Sequence, residues 1–144
     1  MSTIAIVEQS LVDTLNTLNI GKYVTVESYH AELTDVVTDI QSGEANLPIV
    51  YILYTGSPSF QYWPGKRYRE TINFNIIVAA SDLRSLEQQA GVYELVEVVK
   101  ADVQTITRLE GVSSTLLVTS VNAELINNFV AIYSVRCQTT LDKN

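Results

Sequence analysis

Few residues in this chain of 144 could carry reactive chemistry. His30 is its only histidine and Cys137 its only cysteine, and they are far apart in the sequence. A zinc site needs several such ligands at suitable spacing, and a reactive cysteine needs a histidine or another cation nearby. We therefore interpret His30 as a structural or neutral residue. Cys137 lies in an alternating segment, so we expect it to be a small hydrophobic residue of the core.

Two carboxylates, Glu94 and Glu97, are three residues apart in a helical pattern that Lys100 continues. Paired carboxylates can do acid–base chemistry. The same spacing fits a solvated helix face on which Glu97 and Lys100 form an ion pair, and we favour this interpretation. The sequence contains no glycine-rich phosphate loop, no dinucleotide-binding fingerprint and no nucleophile elbow. We therefore predict that the protein is not an enzyme, with no catalytic residue, cofactor or metal.

The segment best suited to binding is GSPSFQYWPGKRYRE, residues 56–70. It places aromatic and basic residues side by side, although Lys22 is the only basic residue before it. Aromatic residues and arginine concentrate binding energy at protein interfaces. We therefore predict a protein–protein interface formed by Phe60, Tyr62, Trp63, Lys66, Arg67 and Arg69.

Two other interpretations of this segment stay open. In the first, the aromatic rings pack on their own sheet while the basic groups remain in solvent. In the second, the rings stack on the bases of a single-stranded nucleic acid and the cations bind its phosphates. The net charge of −7 disfavours the second, because an acidic chain repels phosphate. Residues 1–65 carry most of this charge, with one lysine against seven acidic residues.

The lone cysteine excludes an intrachain disulfide and favours a reducing compartment. The N-terminal sequence MSTIAIVEQS lacks the basic start and the long apolar core of a signal peptide. No stretch approaches the roughly 20 apolar residues that a membrane span needs. We therefore expect no membrane partner, and residence in the cytoplasm or in a particle assembled there.

The length of the chain predicts one domain, residues 1–144. Apolar residues at helical spacing predict helices over 4–18, 32–42 and 81–106, with Gly21 ending the first and Gly91 inside the third. Alternating or continuous apolar runs predict strands over 22–29, 49–54, 68–78, 116–126 and 129–140.

The predicted order of elements is therefore α-β-α-β-β-α-β-β. Neighbouring hairpins in this order predict an α+β fold, with a mainly antiparallel sheet and helices packed on one side. The pair Asn127 and Asn128 predicts a tight turn between the last two strands. Residues 56–69 would form a projecting hairpin loop, which would present the aromatic and basic side chains to a partner.

Five stretches of the sequence resemble a family of small tail proteins of Mu-like phages and prophages. In chain order they are TVESYHAEL (Thr25–Leu33), LPIVYI (Leu47–Ile52), FNIIVAASDLRS (Phe74–Ser85), GVYELVEVV (Gly91–Val99) and FVAIYSVRC (Phe129–Cys137). With the N-terminal helix, these stretches cover most of the chain in one consistent order. Proteins of this family are encoded among contractile-tail genes and are similar to tail terminator, or tail-completion, proteins.

The resemblance implies a structural virion protein with no active site. Tail terminators form rings, typically hexameric, that cap a finished tail tube and face the head-side connector. The implied partners are further copies of the chain, the tail tube and sheath proteins, and a neck or connector protein. DNA would pass through the lumen without specific binding, and assembly would take place in the host cytoplasm.

Two other functions stay open at this point. A head–tail connector or another neck protein would share the fold and the oligomeric logic, and would differ in the partner it touches. A small-molecule-binding α+β module is an alternative from a different class, because sheets covered by helices host many functions.

Overall fold

The computed structural model describes residues 3–30, 32–42, 47–82, 91–107, 109–110, 112, 115–127 and 130–143. Within these residues the helices are α1 (Thr3–Thr17), α2 (Leu33–Gln41) and α3 (Val92–Thr105), and a 3-10 turn spans Ile20–Lys22. The strands are β1 (Val26–Ser28), β2 (Ile49–Trp63), β3 (Arg67–Ala80), β4 (Leu117–Ile126) and β5 (Ala131–Lys143). The predicted order of elements and the α+β class are confirmed. No helix of the described segments is long and apolar enough to cross a membrane.

The strands form one sheet in the order β1-β2-β3-β5-β4. β1 runs parallel to β2 and every other neighbouring pair is antiparallel, so the sheet is mainly antiparallel, as predicted. β3 lies at the centre, and β5 pairs with it from Tyr68 to Ala80. β1 is much shorter and pairs with β2 only from Val50 to Ile52. Because β2 and β3 are long, the end of the sheet that contains Trp63 and Arg67 extends far beyond β1.

Each face of the sheet buries its own hydrophobic cluster, because successive side chains of a strand point to opposite faces. On one face, which we call the α1 face, α1 and α3 pack on strand residues that include Ile52 and Phe74. On the other, which we call the α2 face, α2 packs on residues that include Leu53 and Ile77. The prediction that the helices lie on one side holds for α1 and α3, whereas α2 covers the opposite face. The continuous apolar run in β2 needs this cover on both sides.

The connection from α1 to β1 differs from its prediction. β1 begins at Val26 rather than at Lys22, because the chain first makes the 3-10 turn. Gly21 lies inside this turn, where a Cβ atom would come within 2.1 Å of the backbone oxygen of Asn16. The Asn16 side chain donates to the Val26 oxygen at 3.0 Å and accepts from the Val26 N–H at 2.8 Å. The glycine therefore permits the close return that ties α1 to β1.

The third helix begins later than predicted. Gly91 is its N-cap residue, and the first helical residue is Val92, so the prediction that Gly91 lies inside the helix is wrong. The predicted helical residues Leu86 and Ala90 lie outside the described segments.

Asn127 closes the turn between β4 and β5, as predicted. Its side chain accepts a hydrogen bond from the Val130 N–H at 2.9 Å, and its own N–H donates to the Val130 oxygen at 3.0 Å. The predicted second turn residue, Asn128, lies outside the described part of the chain.

Candidate protein–protein interface

The aromatic and basic segment forms strand rather than the predicted loop. β2 continues through it to Trp63 and β3 begins at Arg67, so only residues 64–66 make the turn. Gly65 and Lys66 have φ angles of 83° and 63°, the left-handed conformation that such a tight turn uses. We call residues 59–71 the distal hairpin. The predicted position of the projecting hairpin is therefore correct. Its arms, however, are paired strands and not a loop.

Two irregularities in β2 determine which way the aromatic residues point. The register with β3 shifts between Tyr54 and Gly56, and again between Gly56 and Ser59. Gly56 has a φ of 121°, an angle that residues with a side chain rarely adopt, so glycine suits the first shift. Tyr54 is opposite Phe74 and Phe60 is opposite Glu70, so the two shifts together add two residues to β2. A single shift would have turned the arm over, whereas two keep Phe60 on the α1 face.

Three aromatic rings share the α1 face of the distal hairpin. Tyr62 lies directly opposite Tyr68, and Phe60 precedes them on the same face. The ring centroids are 6.3 Å apart for Phe60 and Tyr62, 5.7 Å for Phe60 and Tyr68, and 5.9 Å for Tyr62 and Tyr68. Phe60 is nevertheless 46% exposed and Tyr62 70% exposed. The rings pack on one another, yet a large apolar area stays in contact with solvent.

The other face of the distal hairpin carries Trp63, Arg67 and Arg69. The Arg69 guanidinium lies 5.6 Å from the centroid of the Trp63 ring, within the range of a cation–π contact. It also donates to both carboxylate oxygens of Asp142 on β5, at 2.7 and 3.1 Å. The hydrogen bonds to Asp142, and then its charge, raise the pKa of Arg69.

The cations of the distal hairpin therefore differ in what they can offer a partner. Arg69 already has its counterion within the chain, so its main role is to hold Trp63 and β5 in place. Among the residues that the structure describes, neither Lys66 nor Arg67 has an ion pair or a side-chain hydrogen bond. Both are exposed, so their charges are available for a second molecule.

Sequence reasoning missed two residues of this region. Tyr68 completes the ring cluster, and its place in the alternation of β3 could have identified it. Asp142 had no local signal, because only the pairing of β3 with β5 brings it opposite Arg69.

The other candidate residues are held in structural contacts. Glu97 forms an ion pair with Lys100 at 2.7 Å, as predicted. The Tyr23 hydroxyl donates to Glu94 at 3.2 Å, and the charge and hydrogen bond of Glu94 raise the pKa of Tyr23. The His30 side chain is 81% exposed, with Nδ1 3.9 Å from a Glu8 oxygen. The described residues contain no group of three or more side chains that could hold a metal ion.

Cys137 is buried in the core on the α1 face, as predicted. Burial raises the pKa of its thiol to about 12.

We expect the Cys137 thiol to resist Ellman's reagent in the native protein at pH 8 and to react fully in denaturant. As a control, the new thiol of a Ser59→Cys variant, at an exposed position, should react at once. The unfolded thiol ionises near pH 8.5, so this group should cost stability as the pH rises from about 8.5 towards 12. Rapid native labelling of Cys137 would contradict its burial.

The α2 face carries a polar depression of about 510 Å³, and Leu33 at the start of α2 is among its lining residues. Asn75 contributes a buried Oδ1 atom that has no hydrogen-bond partner among the described residues, and Arg136 lies directly opposite it on β5. The remaining lining includes Thr55, Asn73, Thr119 and Ser120. A search for small-molecule binding would begin at this depression.

Comparison with known proteins places the chain in a family. No curated protein matches its sequence. The family model described as Bacteriophage Mu, Gp37 matches residues 3–139, which is nearly the whole chain. The chain therefore belongs to the bacteriophage Mu Gp37 family, and this membership indicates a structural, tail-related phage protein.

Proposed function

We propose that this protein is a tail terminator, or tail-completion protein, which forms a ring that caps the phage tail tube and joins it to the neck or head connector. Family membership over residues 3–139 supports the assignment to a phage tail. The observation that carries the assembly role is the distal hairpin. It exposes Phe60 and Tyr62 on one face and Arg67 on the other. Such a surface is costly to leave in water and suits a protein partner.

The distal hairpin is also suited to assembly because it is held rigidly. β3 pairs with β2 on one side and with β5 on the other, as far as Tyr68 opposite Lys143. Arg69 and Asp142 add a bidentate ion pair across β3 and β5. A preorganised arm loses little conformational entropy when it binds, so more of its contact energy contributes to affinity.

A closed ring of this protein would allow DNA to pass without holding it. The net charge of −7 disfavours contact with phosphate, so a lumen lined by acidic groups would not retain DNA during ejection. In this proposal the ring contains six copies. Its other partners are the tube and sheath proteins on one side and the neck protein on the other.

The proposal is tested by the mass and shape of the purified protein and by its effect on tail tubes. Native mass spectrometry and electron microscopy at high protein concentration should find six-fold rings with a central hole. Added to growing tail tubes, the protein should cap their ends and stop elongation. Rings that bind only the head connector would assign the protein to the neck instead. A chain that remains monomeric and never binds tubes would contradict the proposed function.

A further inference from the structure

An acidic surface lies at the end of β2 opposite to the distal hairpin. Glu27 of β1 is directly opposite Tyr51 of β2, and both side chains point to the α2 face. The Tyr29 hydroxyl donates a hydrogen bond to Asp39 of α2, and the rings of Tyr29 and Tyr51 are 5.1 Å apart. We define the acidic patch as Glu27, Asp35 and Asp39 together with the rings of Tyr29 and Tyr51.

The electrostatics of the two tyrosines support a negative potential at the acidic patch. The hydrogen bond to Asp39, then burial and the charges of Asp39 and Asp35, raise the pKa of Tyr29 to about 12. Burial, followed by the charges of Glu27 and Asp39, raises the pKa of Tyr51. Each of the three carboxylates therefore raises the pKa of at least one of these two tyrosines, and Asp39 raises both.

No cation of the same stretch neutralises this surface. The sequence contains neither lysine nor arginine from Tyr23 to Gly65. Across the described segments, Glu27, Asp35 and Asp39 have no ion pair, and Glu27 is exposed. Glu27 and Tyr51 also line a depression of about 350 Å³ beside Pro48. The acidic patch is thus a negative and partly aromatic surface with a depression at its Glu27 edge.

The acidic patch and the distal hairpin are too far apart to meet within one molecule. β2 continues for 12 residue steps from Tyr51, at the acidic patch, to Trp63, beside the turn (63 − 51 = 12). At about 3.3 Å per residue, less the two bulges, the separation is roughly 35 Å. β3 and β5 hold the arm extended along this length. Their opposite charges can therefore be paired only by contact between two molecules.

We propose that in the assembled ring the distal hairpin of one copy docks on the acidic patch of the next copy. Lys66 and Arg67 meet the carboxylates, and Trp63, which shares the face of Arg67, extends the contact over the neighbouring tyrosine rings. Arginine suits this role because its planar guanidinium pairs with carboxylates and stacks on aromatic rings. Because the two surfaces differ, the contact is head-to-tail and closes by rotation into a ring. This inference rests on the proposed ring and names the surfaces that form it.

Charge reversal tests which surface the distal hairpin touches. Arg67→Glu should weaken self-association at least tenfold, and so should Glu27→Arg, because each variant places like charges in the contact. Mixing the two variants should restore assembly. In an alternating ring, the reversed hairpin of one variant faces the reversed patch of the other, and each unchanged hairpin faces an unchanged patch. Every contact in such a ring therefore joins opposite charges.

Sedimentation velocity and electron microscopy would follow assembly of the variants at matched concentration and salt. Lys22→Glu and Asp13→Arg are the controls, because they change the charge equally at exposed positions elsewhere. Both controls should assemble like the wild-type chain.

The outcomes separate the proposed contact from the proposed function. A wild-type chain that forms no ring overturns the function and the contact together. Wild-type rings that both reversed variants also form overturn the contact alone. Loss of assembly without recovery in the mixture overturns the acidic patch as the partner, and the distal hairpin then docks on another surface of the neighbouring copy. Recovery of rings in the mixture, with the controls assembling normally, supports the contact between copies.

Discussion

With Trp63 and Arg67 both replaced by alanine, the chain is expected to fold normally but to lose ring assembly and binding to tail tubes. Trp63 is 37% exposed and Arg67 is exposed at the end of the distal hairpin. Tryptophan and arginine are the residue types whose truncation at an interface commonly costs about 2 kcal/mol or more each. The affinity between subunits should therefore fall by several hundredfold or more.

The fold should survive this double substitution because neither side chain belongs to a hydrophobic core cluster. Trp63 contacts Arg69 at the surface, and a contact of this kind contributes at most about 1 kcal/mol. Circular dichroism and urea denaturation would measure the fold, while sedimentation and electron microscopy would measure assembly. The matched control is the variant with Lys22 and Tyr23 both replaced by alanine. These residues are also an exposed aromatic residue beside a cation, but they lie outside the distal hairpin.

Normal assembly of the Trp63 and Arg67 double variant would show that these side chains do not grip a partner. The aromatic and basic residues would then be a local surface cluster, which is the first of the other interpretations of this segment. If the Lys22 and Tyr23 control also lost assembly, the ring would be sensitive to surface substitutions in general, and the result would not identify the distal hairpin as the interface.

Replacing Asp102 by alanine is expected to lower the free energy of unfolding by about 3 kcal/mol. Asp102 of α3 is only 1% exposed. Its carboxylate accepts the Ile20 N–H at 2.7 Å and the Asn19 side-chain N–H at 3.2 Å. These bonds fasten the 3-10 turn after α1 to α3. Alanine would leave a buried backbone donor without a partner, and that desolvation cost is the main part of the loss.

Urea denaturation of the Asp102 variants would measure this effect. Asp102→Asn keeps one acceptor oxygen for the Ile20 N–H, so it should lose less stability than Asp102→Ala. Asp13→Ala, at an exposed carboxylate of α1, is the control and should change stability by less than about 0.5 kcal/mol. An Asp102→Ala variant as stable as this control would mean that the Ile20 N–H has another acceptor.

Much of the fold could be predicted from local sequence patterns, because the geometry of a helix or strand determines the spacing of its buried residues. The helical spacing of Val7, Leu11 and Leu15 predicted the buried stripe of α1, and these residues are fully buried. The run Ile49–Tyr54 predicted a strand buried on both faces, and its residues enter both hydrophobic clusters. Periods of 3.6 and 2 residues follow from the helix and strand themselves, so no distant contact is needed to infer them.

Other features were predicted wrongly from the sequence, because contacts with residues far away in the chain determine them. Turn residues such as Gly56 and Pro58 suggested a loop, yet the chain from 55 to 63 continues as strand along β3. Pairing with a long neighbouring strand outweighs local turn propensity, and the two bulges absorb the irregular residues. Gly91 likewise continued a helical pattern, but the helix starts after it.

The sequence by itself determined the order of elements, the apolar face of α1, and the segment that carries exposed aromatic and basic residues. The tertiary structure decided how that segment could act. Pairing with β5 neutralised Arg69 with Asp142 and left Lys66 and Arg67 without a counterion in the described chain. The length of β2 separated the distal hairpin from the acidic patch. Charge and residue type are local properties, whereas the distance between two surfaces is set by strand register and packing.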